Sequence, residues 1–542
     1  MSKVLVLGLD GGSFEYMAPW LEAGYLPNLD GLINEGTTGV LRSTFLPTTA
    51  IAWPTMLTGK NPGKHGIFDF RYRRSGSYDL SPSLALGIDG DPLHVYLSRL
   101  GLRVGLVNVP MTYPPREVNG FIITGFTTPE EADNWAYPHT LAIELDKAGV
   151  PYPMPQLHEL IQMKNKRGHG AAIQEYINRW DSFTKAQTET ICYLLEQRPY
   201  DFFMLVFSST DHINHHTPNL NYIRRIYEQV DAAIGQILSV VDEETTILVV
   251  SDHGSASLKR YIVLNRFLAD EGLIAFKSEI AIQHIKSVAG RYVWEHQDRI
   301  GALWSRLPAF LRRFLSWPWL QLDERLRFGY ENIDWQRTYA YAFSGIGSLF
   351  INLEGREPQG IVKPGKEYAQ LREQIINGLL SLRDETGQPL IKEAHKAEAV
   401  FHGSYMIHAP DILFSRYCET DRAVTGFATD PIVRSSIRPD GTSAEYGYHT
   451  SKGILIARGP GLKKGTQIKR ADIHDIAPTV LHLLGKAVPT DMDGGVLQDL
   501  FTEPMAVTMI ERETTENKNQ HALSQTATDD FEERLRLLGY LD

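Results

Sequence analysis

Asp10, Asp211, His215, Asp252, His253 and His449 are spread over the whole chain, yet their types and settings could serve one chemistry. Nearly all follow a stretch that reads as a buried strand. Asp10 comes after the apolar run 4–9, Asp211 soon after 202–207, and Asp252-His253 just after 246–250. Carboxylates and imidazoles are costly near a sheet core unless something compensates their charge or polarity. Three Asp and three His gathered at one sheet edge can hold two divalent metals, the composition expected of a metallohydrolase.

Each local cluster also has a plain structural reading. In Leu-Gly-Leu-Asp-Gly-Gly (7–12), a carboxylate projects at a tight turn where backbone can approach a ligand, but Asp-Gly is also a common turn with no function. Thr49 stands near the start of a helix expected from about Ala50. Helix N-termini offer unpaired amides and partial positive charge to an oxyanion, whereas the alternative is that Thr48 or Thr49 only caps the helix. In Asp211-His212-Ile213-Asn214-His215-His216, the i and i+4 residues face the same way on a helical turn, offering an oxygen and a nitrogen ligand together. Adjacent ligands Asp252 and His253 need a sharp turn, which Gly254 permits. A lone His is usually structural, so His449, after Tyr446-Gly447-Tyr448, gains weight only from the others.

The elements that must position these groups read as α/β. Segments 102–110, 120–126, 201–208 and 245–251 are apolar strands, and 171–197 and 220–240 are helical between them. Strands alternating with long helices imply a mainly parallel sheet covered on both faces, with functional groups outside the carboxyl ends of the strands. The sequence predicts a core over 1–254, a helical cap over 255–335, a return to the core over 336–505 and a polar tail over 506–542. Within the return, 366–381 reads as a helix, 411–414 and 453–457 as strands, and 473–484 as a helix; 530–541 forms a short terminal helix.

Composition bounds the rest. Apolar content of 43% and charged content of 22% are those of a globular chain with a large core. A net charge of −11 argues against general nucleic-acid binding. Cys192 and Cys418 make no disulfide framework. A strand beginning at Lys3-Val4 leaves no room for a signal sequence, and no long apolar run occurs, so the expected compartment is the cytoplasm.

Taken together, in this order and spacing, the clusters resemble the type I phosphodiesterase and nucleotide pyrophosphatase family of the alkaline phosphatase superfamily, over roughly 3–260 and 338–500. Thr58-Gly59-Lys60-Asn61-Pro62-Gly63-Lys64-His65-Gly66-Ile67 is similar to the family's signature after its nucleophile. The stretch Ile351 to Pro358 resembles a prokaryotic branch of predicted phosphohydrolases. The resemblance implies an alkaline-phosphatase-like three-layer α/β/α fold with an inserted helical cap. It implies one metal among Asp10, Thr49, Asp252 and His253, and another among Asp211, His215 and His449. Zinc suits that mixed donor set, with manganese second. Thr49 takes the nucleophile's place, Thr48 being the neighbouring candidate, and the activity implied is that of a phosphodiesterase.

The chain departs from the animal nucleotide pyrophosphatases where Ala50, Ile51 and Ala52 replace Phe-Pro-Asn, so a phosphate-holding Asn is missing. Thr49-Ala50-Ile51-Ala52-Trp53 also lacks the Pro and Arg of a sulfatase motif. A phosphomutase or phosphotransferase on the same fold, and a catalytically silent metal-binding relative, are the competing readings. The substrate expected is a phosphate ester, either a small molecule or lipid-like. The stretch 304–320 alternates apolar and basic residues as interfacial helices do, but Pro308 and Pro318 break it, so peripheral membrane contact is the less favoured reading. The basic run 71–74 and Arg356 are candidates to meet a substrate phosphate, with a solvated loop the plainer reading for the run.

Overall fold

The structure is a computed structural model that describes residues 2–125, 127–129, 132–153, 169–277, 333–426, 431–436, 446–511 and 535. The strands that position the site are β1 (Lys3–Leu9), β2 (Thr37–Arg42), β3 (Val104–Val109), β4 (Gly120–Thr124), β5 (Ala136–Tyr137), β6 (Phe202–Phe207) and β7 (Thr245–Val250), followed by β8 (Gly254–Ser257), β9 (Gly447–Thr450) and β10 (Lys452–Arg458). The helices used below are α1 (Thr49–Thr58), α2 (His169–Gln197), α3 (Ser209–His216), α4 (Leu220–Ser239) and α5 (Ile476–Leu483).

Across the main sheet the order is β2-β10-β7-β1-β6-β3-β4-β5, extended at β2 by the short strands Thr466–Gln467 and Ala471–Asp472. Strands β7, β1, β6, β3 and β4 run parallel, whereas β10 is antiparallel to both of its neighbours. The fold is therefore the expected α/β with a mainly parallel central sheet.

Its layers follow from the period of two along each strand. Leu5, Leu7 and Leu9 face one apolar cluster with Ile223 and Tyr227 of α4 and Trp180 of α2. Val4 and Val6 face the other, with Ala52 and Met56 of α1 and Val480 of α5. A strand buried on both faces needs an unbroken apolar run, which is what Val4 to Leu9 provides. Each such Leu or Val contributes roughly 1.5–3 kcal/mol on burial. The apolar strands are thus the rigid part of the molecule, and the polar residues at their ends inherit that rigidity.

Helix α1 has no solvent face, since all ten of its residues are buried. It is anchored at mid-length by His65. Ile67 N–H donates to His65 Nδ1 at 3.2 Å, so Nε2 carries the proton and donates to Thr55 Oγ1 at 2.9 Å. This joins the Thr58 to Ile67 segment to the helix that begins with Thr49.

The described part of the 255–335 insertion is not all helical. β8 pairs with β9 beside the core, and Arg260–Val263 joins Asp421–Val424 and Val433–Ser435 in a three-stranded sheet. Alternating short segments on a mostly polar background conceal strands whose partners lie far along the chain. Residues 278–332, including the aromatic-basic stretch, lie outside the described residues. So does most of the expected terminal helix, apart from Leu535, which is helical and buried with the β1–α4 cluster. Among the described residues no helix is long and apolar enough to cross a membrane.

A second, antiparallel sheet runs in the order Ala340–Tyr341, Ser348–Ile351, Ile412–Arg416, Ile391–Lys396, covered by the helix Lys366–Ser381. The two arginines singled out above belong to its framework. Arg356 forks onto Asp411 at 2.8 and 2.6 Å, and Arg73 pairs with Glu357 and donates to the Tyr341 hydroxyl at 2.8 Å. Arg73 and Arg356 both stand beside the buried Glu357, so Arg73 belongs to a strand and an ion-pair framework instead of a solvated loop.

His65 and His94 are fully buried, and desolvation pushes each imidazole down to about 3. The unfolded chain takes up protons near pH 6.5 that these rings refuse, so stability is complete above about 6.5 and falls as pH drops toward 3. Calorimetry between pH 7.5 and 4.5 should give a falling Tm, worth up to about 1.4 kcal/mol per pH unit per ring. His94→Gln should show a shallower slope than the parent, and equal slopes would contradict this account of His94.

Candidate metal centre

Register brings the site together. In the parallel pairs, Leu9 lies opposite Phe207, and Gly8 lies opposite Val250. Three neighbouring strands thus end at one level, and the next residues carry Asp10, the α3 turn with Asp211, and Asp252-His253. The last group arrives from the other end of the chain: β9 pairs with β8 so that His449 stands opposite Ser255.

All seven residues are buried, with none of Asp10, Thr49, Asp211, His215, Asp252, His253 and His449 more than 3% exposed. Asp10, Asp252 and His253 each offer a ligand atom within 4.8 Å of the others, and so do Asp211, His253 and His449. His253 Nε2 lies 3.3 Å from Asp252 Oδ2, 3.7 Å from Asp10 Oδ1 and 3.1 Å from Thr49 Oγ1. His215 Nε2 lies 3.2 Å from Asp211 Oδ2 and 3.2 Å from His449 Nε2, and His449 Nε2 is 3.7 Å from Asp211 Oδ1. Thr49 is the first residue of α1, and the side chain of Thr48 before it makes no capping hydrogen bond. The cap reading therefore accounts for neither hydroxyl.

Backbone carbonyls orient two of the rings. His253 Nδ1 sits 3.0 Å from Gly254 O, and His449 Nδ1 sits 3.1 Å from Pro47 O. A carbonyl can only accept, so each Nδ1 carries the proton and each Nε2 turns a lone pair into the cluster. Burial pushes His449 well below the usual imidazole range, with His253 beside it acting in the same direction, so the ring stays neutral.

The carboxylates show what the protein alone does not supply. Burial, then Asp252 and Asp211, raise Asp10 well above the carboxylate range, and burial also raises Asp252. Burial works against Asp211 too, but His215, which lies within hydrogen-bond reach of it, outweighs it and holds that group well below its usual value. Among the described residues, both oxygens of Asp10, and Oδ2 of Asp252, lack a hydrogen bond of good geometry. At an effective dielectric near 20, two like unit charges 4 Å apart repel by about 4 kcal/mol. Orphaned carboxylate oxygens facing imidazole lone pairs fit divalent cations, which supply the charge that the side chains lack.

Gly11 and Gly254 are required for different reasons. Gly11 has φ +64°, and a Cβ there would fall 2.7 Å from Asp211 Oδ1. Gly254 does not make the expected sharp turn; it opens strand β8, where a Cβ would meet Lys452 O at 2.2 Å. Two histidines of the 211–216 cluster stay out of the site: His212 packs on Trp180 and His216 on Tyr176, at ring separations of 5.2 and 4.9 Å. Sequence reasoning missed the hydroxyls around the site, Ser43, Thr210, Ser251 and Ser255. A signal existed, because a Ser or Thr directly precedes Asp-His at both 210–212 and 251–253.

No curated protein sequence matches the chain. The family model described as type I phosphodiesterase / nucleotide pyrophosphatase matches residues 4–314. Among solved structures, phosphonoacetate hydrolase from Sinorhizobium meliloti 1021 in complex with phosphonoformate is similar at a TM-score of 0.54 and 13% identity, over 89% of this chain and 95% of that one. Human ectonucleotide pyrophosphatase / phosphodiesterase 5 is similar at 0.49 and 13% identity, over 93% of this chain and 100% of that one. The chain belongs to the type I phosphodiesterase/nucleotide pyrophosphatase family, a metalloenzyme class, and is a hydrolase of phosphoester bonds.

Metal-free protein titrated with Zn2+ in a calorimeter should take up two equivalents and gain thermal stability. His449→Ala should lose one of them, because Asp211 and His215 alone are too few ligands. Full stoichiometry in that variant would contradict the arrangement.

Proposed function

We propose that this family member cleaves a phosphodiester through a covalent phosphothreonine at Thr49, with two divalent ions, zinc or else manganese, held by the surrounding residues. Asp10, Thr49, Asp252 and His253 would hold one ion, and Asp211, His215 and His449 the other. The observation that carries the reading is the placement of Thr49 Oγ1, 3.1 Å from His253 Nε2 at the buried start of α1. Bound divalent ions would supply the charge that makes a threonine alkoxide accessible and offsets the charge on the phosphoryl oxygens.

The chain's own groups do the rest. Ile51 and Ala52 N–H bond to Thr48 O, whereas the first-turn amides of Thr49 and Ala50 have no intrahelical carbonyl to reach. These two amides would cradle a phosphoryl oxygen, aided by the partial positive charge of the helix start. They would also substitute in part for the absent Asn, whose matching position, Ala52, is fully buried. In the first step the Thr49 Oγ–P bond forms as its hydroxyl proton passes to solvent, and the P–O bond to the leaving group breaks, its oxygen taking up a proton from water to depart as the alcohol. In the second, water attacks phosphorus, the Oγ–P bond breaks and Thr49 regains a proton, leaving a monoester. Burial of the whole cluster excludes bulk water from the first step.

The test is hydrolysis of bis(4-nitrophenyl) phosphate by zinc- or manganese-loaded protein. Thr49→Ala should lower kcat by a factor on the order of 10^3 or more, while Thr49→Ser should retain part of the rate. Mass spectrometry of acid-quenched parent should find one phosphoryl group on the peptide that contains Thr49. Undiminished turnover by Thr49→Ala would remove the nucleophile assignment.

A further inference from the structure

The loop that carries Asp10 is held by hydroxyls from the loops that carry the other ligands. Strand β1 lies between β6 and β7, and a hydroxyl residue followed by Asp-His comes after each neighbour, Thr210 in the first turn of α3 and Ser251 directly after β7. From the β6 side, Thr210 Oγ1 donates to Asp10 O at 2.6 Å. From the β7 side, Ser251 Oγ donates to Gly12 O at 3.0 Å. Ser255, in the strand that pairs with His449, donates to Gly11 O at 2.9 Å. All three carbonyls of the loop are therefore taken by buried hydroxyls, each within two residues of a candidate ligand on a different element. None of the three hydroxyls is more than 1% exposed.

Buried hydroxyls must find acceptors somewhere, and local ones are usually the nearest. Thr210 illustrates the choice: its own turn offers Phe207 O at 3.1 Å, yet the shorter contact goes across to Asp10 O. Ser255 and Ser251 likewise reach across to β1. A Cβ on Gly11 would lie 2.8 Å from Ser255 Oγ, so the loop and its clamp are fitted to each other.

We propose that Thr210, Ser251 and Ser255 are positioning residues that fix the spacing of Asp10 from Asp211, Asp252 and His449, and so set how tightly the centre holds divalent ions. The proposal rests on the metal-holding reading above. Without the clamp the ligands would still be present, but their loops could separate by the few tenths of an ångström that coordination does not tolerate. Outer groups of this kind typically contribute 10–100-fold in metal affinity. Ser251 also accepts Ile454 N–H at 2.8 Å, so Thr210 and Ser255 are the cleaner probes.

The experiment is Zn2+ affinity by competition with a chromophoric chelator, together with the Tm of the metal-free protein. It compares the parent with Thr210→Val, Thr210→Ser, Ser255→Ala and Asp10→Asn. Thr210→Val and Ser255→Ala should each bind zinc about 10–100-fold more weakly, and Thr210→Ser should restore parental affinity. A merely structural role would lower the metal-free Tm and leave the affinity unchanged. That result in both variants, while Asp10→Asn loses binding, overturns the clamp alone. Unchanged affinity in Asp10→Asn as well would overturn the metal-holding reading beneath it.

Discussion

The structure depends on a conflict of charge. Asp10, Asp211 and Asp252 are fully buried at one sheet edge, where burial and mutual repulsion keep Asp10 and Asp252 above the normal carboxylate range. No hydrophobic gain favours that arrangement, and side chains alone do not satisfy it. It is tolerable because the strands beneath are apolar on both faces and because imidazole lone pairs and carboxylate oxygens converge on the same places. A centre of this kind stores its cost in the protein and recovers it when cations bind.

Three adjacent parallel strands ending at one level are what make the convergence accurate. The candidate ligands are far apart in sequence, and only register relates them: Leu9 to Phe207, Gly8 to Val250, and later His449 to Ser255. A register shift of one residue would reverse every side chain in the strand and send its last ligand into the opposite layer. Thr49 is placed differently, by a wholly buried helix pinned through Thr55 and His65. Thr49 and the carboxylates thus come from two separate supports that meet at His253.

Much of this was legible from the chain, and for identifiable reasons. Apolar runs such as 4–9 and 202–207 have one reading, buried parallel strands, and the polar residue after each is a site candidate because sheet edges are where polar groups can be used. The helices 171–197, 220–240 and 366–381 were visible from their period. Three kinds of feature were hidden. The reason for Gly254 is a close approach by Lys452, a contact made across the sheet. The ion pair of half-buried Arg73 depends on Glu357, nearly three hundred residues on. Strands at 254–257 and 260–263 depend on partners after residue 420. Each is set by a distant partner, and local pattern carries no record of it. The hydroxyls at 210 and 251 were visible as letters, but their purpose appears only once β1 is seen between β6 and β7.

The central claim is that these buried groups form one two-metal centre around Thr49. Anomalous diffraction from crystals of zinc-loaded protein, recorded on both sides of the zinc absorption edge, tests it most directly. The account predicts two strong peaks, one against Asp10, Asp252 and Thr49, the other against Asp211, His215 and His449. No peak at the cluster, or zinc bound only at other residues, would contradict it.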